Sequence, residues 1–385
     1  MKRKKKKHGP VLILAVSVPA LLIFVLVFFL FIKGVAKPDG PLYEEAYSSS
    51  PELVSVIGRI DRCVYESLYQ SGIPERDIFF LDVEPRHEKG KTWEFTRLLV
   101  KCADETKALR VGKRILKELL ALGPGVTARE EPGHARDLRY RVLANGLYTH
   151  SIVLRFSGTL TDRGKGRPKV ALIIDDLGYD PGLAEAFMGL DIPVSLSVLP
   201  SAPFTRRIVR EAHKRGFELM LHLPMEPKNY PAVNPGPGTL FVSMDDQVLL
   251  RKLAEDLKQI PGAVGVNNHM GSLFTEDRDK MIVVLGALRK LNLFFVDSRT
   301  TPGSVAYDLA RRMDVPTAKR TVFLDNDLDA PAMEFQVRRL LNMARHRGWA
   351  IGIGHPHKAT VGALKNYLEK RDDGIEIVPV SELVG

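Results

Sequence analysis

The stretch Val170-Ala-Leu-Ile-Ile-Asp-Asp-Leu-Gly-Tyr-Asp180 decides the fold. It is a short apolar run that ends abruptly in two adjacent carboxylates. The same pattern recurs downstream, in the runs Val194–Leu199, Phe217–Leu221, Ala263–Val266, Leu293–Val296, Val322–Leu324 and Ala350–Ile353. Between the runs lie amphipathic stretches with recognisable ends: Pro203 opens one helix and Gly216 closes it. Strands that alternate with helices of this kind imply parallel βαβ units. The expected fold class is therefore α/β, a distorted or incomplete (β/α) barrel of about seven parallel strands over residues 169–385.

The polar residues that end these runs point to chemistry. Asp175 and Asp176 end the first, His222 the third, Asn267-Asn268-His269 the fourth and Asp297-Ser298 the fifth. Asp325-Asn326-Asp327 come after the sixth, and His355 and His357 after the seventh. In a βα barrel these ends converge on one face, where active sites are built. A lone polar residue after a strand is usually a helix cap, and that reading covers Asp297-Ser298 and Asp325-Asn326-Asp327. Carboxylates and histidines at four ends together indicate a shared site. Such O and N donors suit a divalent cation, Zn²⁺ above all, with one position left for water. One carboxylate of an adjacent pair can bind the metal while its neighbour accepts a proton from water, and a histidine opposite can protonate the leaving group. The outcome is hydrolysis of an amide or ester without a covalent intermediate. The chain has no Gly-x-Ser-x-Gly elbow, which disfavours the serine-hydrolase route. Phosphoester hydrolysis would call for a basic or carboxylate-rich two-metal pocket that the motifs do not supply.

The motif at 170–180 resembles the first motif of NodB-like polysaccharide deacetylases. Leu196-Ser-Val-Leu-Pro200, Met220-Leu-His-Leu-Pro-Met-Glu-Pro227, Asn267-Asn-His-Met-Gly-Ser272, Phe295-Val-Asp-Ser298 and Ile351-Gly-Ile-Gly-His-Pro356 resemble, more specifically, the divergent polysaccharide deacetylases. The resemblance implies that Asp175 is the general base, Asp176 a metal ligand, His222 the first histidine of a His-x-x-x-His ligand pair and His355 the general acid. Two departures stand out. Glu226 replaces the second histidine of the pair, and the family's Arg-Pro motif reads Asn267-Asn-His-Met-Gly here. The third ligand is then His269 or Glu226, with His269 favoured because it ends a neighbouring strand. Asn268, Asp297 and His357 are further candidates for a ligand or a supporting role. The activity implied is removal of acyl groups from an envelope carbohydrate. The alternative is a non-catalytic glycan- or partner-binding protein that keeps the fold, with the altered ligand pattern as its support.

The remainder of the chain sets the context. Of its formal net charge of +10, six positive charges lie within residues 2–7, and only +4 remains for everything after them. That excess is too small to argue for nucleic acid. The lysine-rich start precedes Val11–Ile32, a 22-residue run without charge, long enough to cross a bilayer. Basic residues in front hold the N-terminus in the cytoplasm, and Lys33-Gly-Val-Ala-Lys37 is a poor cleavage site. Residues 1–33 thus read as a basic tail and a single inner-membrane anchor that leaves the domains after it in the periplasm, and 34–50 as a linker. Residues 51–157 read as a small α+β domain with helices ending near Gly72 and Gly123, a strand over Trp93–Val100 and a hairpin around Asn145-Gly146. No catalytic constellation is visible in it. His87, His134 and His150 read as solvated, as do His213 and His346 further on. Cys63 and Cys102 are open to two readings, a pair in an oxidising compartment or separate thiols. A charged linker, 158–168, leads into the barrel.

Overall fold

The structure, a computed structural model, describes residues 51–133, 136–156, 167–370 and 374–385. The expected anchor, the linker at 34–50, most of the linker at 158–168 and His134 lie outside the described residues. Among the described residues, no helix is long and apolar enough to cross a membrane.

In the N-terminal part, α1 (Pro51–Gln70) and α2 (Glu105–Leu120) accompany five strands, β1 (Ile78–Glu88), β2 (Lys91–Lys101), β3 (Val126–Glu131), β4 (Asp137–Ala144) and β5 (Leu147–Arg155). Leu53, Ile60, Val64 and Leu68 form the buried stripe of α1 at helical spacing. The sheet order is β1-β2-β5-β4-β3, with only β2 and β5 parallel. Asn145 and Gly146 both adopt positive φ, 49° and 80°, which a two-residue hairpin turn with the right twist demands. The strands the sequence conceals are the two at the sheet's edges. β1 carries Pro85, tolerated where no ladder hydrogen bond is needed, and β3 carries Arg129, Glu130 and Glu131. His150 is a correction: it is buried, bonded through Nε2 to Asp61 at 3.1 Å and through Nδ1 to Thr149 at 2.9 Å. Cys63 and Cys102 are free thiols, and burial pushes both to a pKa of about 11.

The C-terminal part alternates β6 (Lys169–Leu177), α3 (Pro181–Met188), β7 (Ser195–Val198), α4 (Thr205–Arg215), β8 (Leu219–Met225), α5 (Asp246–Leu257), β9 (Gly265–Met270), α6 (Arg278–Lys290) and β10 (Phe294–Asp297). It continues through α7 (Ala306–Arg312), β11 (Thr317–Lys319), β12 (Val322–Phe323), α8 (Ala330–Arg347), β13 (Trp349–Gly354), α9 (Lys358–Lys370) and β14 (Glu376–Ile377). The strands run parallel in the order β11-β10-β9-β8-β7-β6-β13-β12, a half-barrel of eight strands. The expected seven lack β11, and β14 adds two residues beside the start of β6. These two strands span three and two residues, too short to leave a period in the sequence.

Alternation along each strand places the site. Val170, Leu172 and Ile174 of β6 join the core beneath the helices, whereas Ala171 and Ile173 join a second core inside the barrel. That inner core also holds Met220, Phe294, Val296, Phe323, Ile351 and Ile353. Two residues beyond the last inner position of these strands stand Asp175, His222, Ser298, Asp325 and His355, all buried. The polar cluster therefore continues the inward-facing rows of the barrel.

The two parts share one core and pack through α8. Arg339 is almost wholly buried, and its guanidinium bonds to Asp61 at 3.1 Å and to the Thr96 hydroxyl. Asn342 donates to Ile78 O at 2.8 Å and accepts from Phe80 N at 3.3 Å. His346, expected in solvent, is half-buried with its ring 4.0 Å from that of Phe79. His213 and His87 are exposed, as expected.

Candidate metal centre

Adjacent residues on a regular strand point to opposite faces, so two consecutive carboxylates do not ordinarily reach one centre. Here the register of β6 against β7 shifts between Ile174 and Leu177, and Asp176 takes the left-handed conformation, φ 54°. Asp is one of the few residues other than glycine that adopt it with tolerable strain, at a cost of about 1–2 kcal/mol. The bulge leaves both Asp175 and Asp176 buried at the strand end.

Asp176 Oδ1 lies 2.9 Å from His222 Nε2 and 2.7 Å from His269 Nδ1, and the two nitrogens are 3.2 Å apart. Three ligand atoms thus converge, with separations close to the ~3.3 Å edge of a tetrahedron whose bonds are about 2.0–2.1 Å. Neither carboxylate oxygen of Asp176 meets the geometry of a hydrogen bond with any described group, although both are buried. A buried carboxylate without such partners is costly unless something else satisfies it, and a cation does so. Burial works to raise the pKa of Asp176, but the two imidazoles outweigh it and hold the carboxyl well below its ordinary value.

Asn267 organises the inner side. Its amide nitrogen donates to Asp175 Oδ1 at 2.8 Å and Oδ2 at 3.0 Å. Its oxygen accepts from the Ser197 hydroxyl at 2.6 Å and pairs with His222 Nδ1 at 2.9 Å. A carboxylate only accepts, so the amide orientation is set, and His222 must carry its proton on Nδ1. Burial disfavours the charged ring, but Asp175 and Asp176 raise the His222 pKa to about 9, so a cation takes the Nε2 lone pair by displacing its proton, with Nδ1–H held as in metal-binding histidines. Burial raises the pKa of Asp175, and the adjacent Asp176 adds to the rise, while His222, His355 and the Asn267 hydrogen bond pull it back.

His355 comes directly after β13 and its Nδ1 donates to Asp325 Oδ1 at 2.8 Å. Asp325 Oδ2 also accepts from His355 N at 2.6 Å and from the Thr360 hydroxyl at 2.7 Å. Burial tends to raise the pKa of Asp325, yet His355 and these hydrogen bonds lower it. Asp325, a cap by its sequence context, is therefore the partner that orients His355. Its place two residues past Phe323 in the inner row is the signal that finds it.

The remaining candidates stand apart from the three ligand atoms. Glu226 Oε2 accepts from Val242 N at 2.8 Å and ties down the loop after β8. Asn268 donates to Met270 O at 2.8 Å and accepts from Ser298 N at 2.9 Å. Asp297 accepts from Arg299 N and Ser304 Oγ, both at 2.8 Å, ahead of α7. His357 stands 6.4 Å from His355, ring to ring.

Residues 172–384, which carry all of these side chains, match the family described as divergent polysaccharide deacetylase. The chain belongs to that family. It is 35% identical over 216 residues to the uncharacterised protein YibQ of Escherichia coli K12, covering 56% of this chain and 67% of that protein. An uncharacterised protein of Haemophilus influenzae Rd is 33% identical over 215 residues, 56% of this chain and 76% of its own. Among solved structures, the uncharacterised protein ATU2773 of Agrobacterium tumefaciens C58 superposes with a TM-score of 0.54 at 28% identity, over 57% of this chain and 91% of that one. The family's range begins inside β6, so the α+β part before it is not covered by the family match.

Proposed function

We propose that the protein is a metal-dependent hydrolase that removes acetyl groups from a carbohydrate of the cell envelope. One observation carries the reading: Asp176, His222 and His269 present three ligand atoms to one point, and the buried Asp176 carboxylate makes no hydrogen bond of regular geometry there among the described residues. These three residues would hold Zn²⁺ with a coordination position left open. When bound, the metal supplies an electrophile that polarises an acyl carbonyl and acidifies water.

The chain's own residues do the rest. Asp175, oriented by the Asn267 amide, takes the proton of the attacking water. Its raised pKa brings it nearer the operating pH, as suits a general base. His355 is held by Asp325 through Nδ1 and offers Nε2 to the leaving nitrogen or oxygen, which it protonates as the bond to the acyl carbon breaks. The products are acetate and a free amine or hydroxyl. The basic tail and apolar run at the N-terminus would anchor the enzyme in the inner membrane with this site on the periplasmic side.

The test is elemental analysis together with acetate release from N- and O-acetylated glycans. About one equivalent of divalent metal is expected, and Asp175→Asn should retain it while losing about 10²–10⁴-fold in rate. A protein that takes up no metal after zinc addition, or an Asp175→Asn variant as active as wild type, overturns the proposal.

A further inference from the structure

A largely buried ion pair links the α+β part to the site. Glu94 of β2 meets Arg320, in the link between β11 and β12, at 3.0 Å, and the Arg320 side chain is only 2% exposed. The same guanidinium bonds to backbone at the end of β10: Nε donates to Ser298 O at 2.8 Å and Nη2 to Arg299 O at 3.4 Å. Arg299 there has φ 53°, a turn that needs holding. Ser298 Oγ accepts from Asn267 Nδ2 at 3.3 Å, the amide that also orients Asp175 and His222. On its other side the guanidinium lies over Phe323, 3.6 Å from the ring centre, and that ring is 5.8 Å from the ring of His355.

Arg320 thus touches both halves of the candidate machinery: the turn behind Asn267 and the ring beneath His355. We infer that Glu94 is a positioning residue supplied by the α+β part, acting through Arg320 on Asp175, His222 and His355. The α+β part is then a component of the catalytic unit. The inference rests on the reading of these residues as a hydrolytic site. Its physical basis is that a guanidinium held by a carboxylate in a low-dielectric setting is fixed far more tightly than one facing water, and small displacements of reacting groups carry large rate penalties.

The experiment compares Glu94→Ala and Glu94→Gln with Glu75→Ala in the full-length protein. Glu75 pairs with Arg345 at 3.1 Å, so its removal breaks another contact between the same two parts, far from Arg320 in sequence and at an exposed position. Glu94→Ala should keep its metal equivalent and its KM while kcat falls about 10–100-fold, with Glu94→Gln in between. It should also shift the imidazole ¹H–¹⁵N signals of His222 and His355. Glu75→Ala should do neither. Equal kcat and unmoved histidine signals in Glu94→Ala overturn the inference, as do identical effects from Glu75→Ala. The histidine signals do not require turnover. A wild type inactive on every glycan therefore refutes the hydrolase reading, while the positioning link is still decided by whether those signals move.

Discussion

Two of the buried ionisable clusters among the described residues are built on opposite principles. In the α+β part Asp61 accepts from Arg339 and from His150, both at 3.1 Å, and its pKa is lowered because the Arg339 guanidinium and the His150 hydrogen bond overcome the cost of burial. At the barrel mouth Asp176 also faces nitrogen groups, yet both of its oxygens lack hydrogen-bond geometry. One carboxylate is satisfied by donors on neighbouring elements. The other is aimed, with two imidazole nitrogens, at a common point. Burial of charge alone therefore does not mark a functional site; convergence of unsatisfied donor atoms does.

The sharpest way to break this contrast is to remove one ligand. His222→Ala should lower metal affinity by more than the ~10–100-fold typical of a supporting residue, leaving the protein without stoichiometric metal by elemental analysis. Retention of a full equivalent would place the metal elsewhere.

Much of this cluster is legible in the sequence, for a physical reason. Parallel strands buried on both faces read as apolar runs, and their polar ends are visible against that background, which exposes Asp175, Asp176, His222, His269 and His355. What stays hidden depends on long-range pairing. Asp325 looks like a cap until β12 is seen beside β13, and Asn267 looks like a turn residue until Asp175 and His222 are seen on either side of it. His150 looks solvated because its partner Asp61 lies 89 residues earlier and is itself held by Arg339, on a helix from the other end of the chain. Edge strands β1 and β3 escape notice because their polar residues and Pro85 suit an edge and contradict the interior pattern.

The satisfied cluster predicts a different phenotype. Arg339→Met leaves Asp61 buried with one donor fewer, and urea unfolding should show a loss of about 3 kcal/mol, the lower end for breaking a buried pair, because His150 still bonds to Asp61. Asp61→Asn in the same protein should recover most of that loss, since no uncompensated charge remains. Metal content of the folded fraction should not change in either variant. Loss of metal in Arg339→Met would show that the two clusters are coupled and that the contrast between them is false.

Another buried carboxylate marks the limit of the comparison. Asp256 on α5 is 2% exposed, and its Oδ2 lacks a hydrogen-bond partner among the described residues. Gly238 approaches it so closely, with φ 91°, that a Cβ there would lie 2.9 Å from Oδ1. Burial lifts its pKa from 3.8 to about 7, with Lys252 opposing and Glu255 adding to the rise. Where Asp61 has a bonded cation and Asp176 has converging ligand atoms, Asp256 has only the distant charge of Lys252, and burial favours its protonated form. At Asp256 the folded state then binds more protons than the unfolded one between pH 3.8 and about 7, so the contribution of this residue to stability falls as pH rises through that window. Thermal melting should show the wild type losing stability relative to Asp256→Asn as pH rises from 3.8 to about 7, with a constant difference below and above that window. Parallel melting profiles across the window would mean that Asp256 is ionised in the fold, and that a carboxylate here is tolerated without either a cation or a proton.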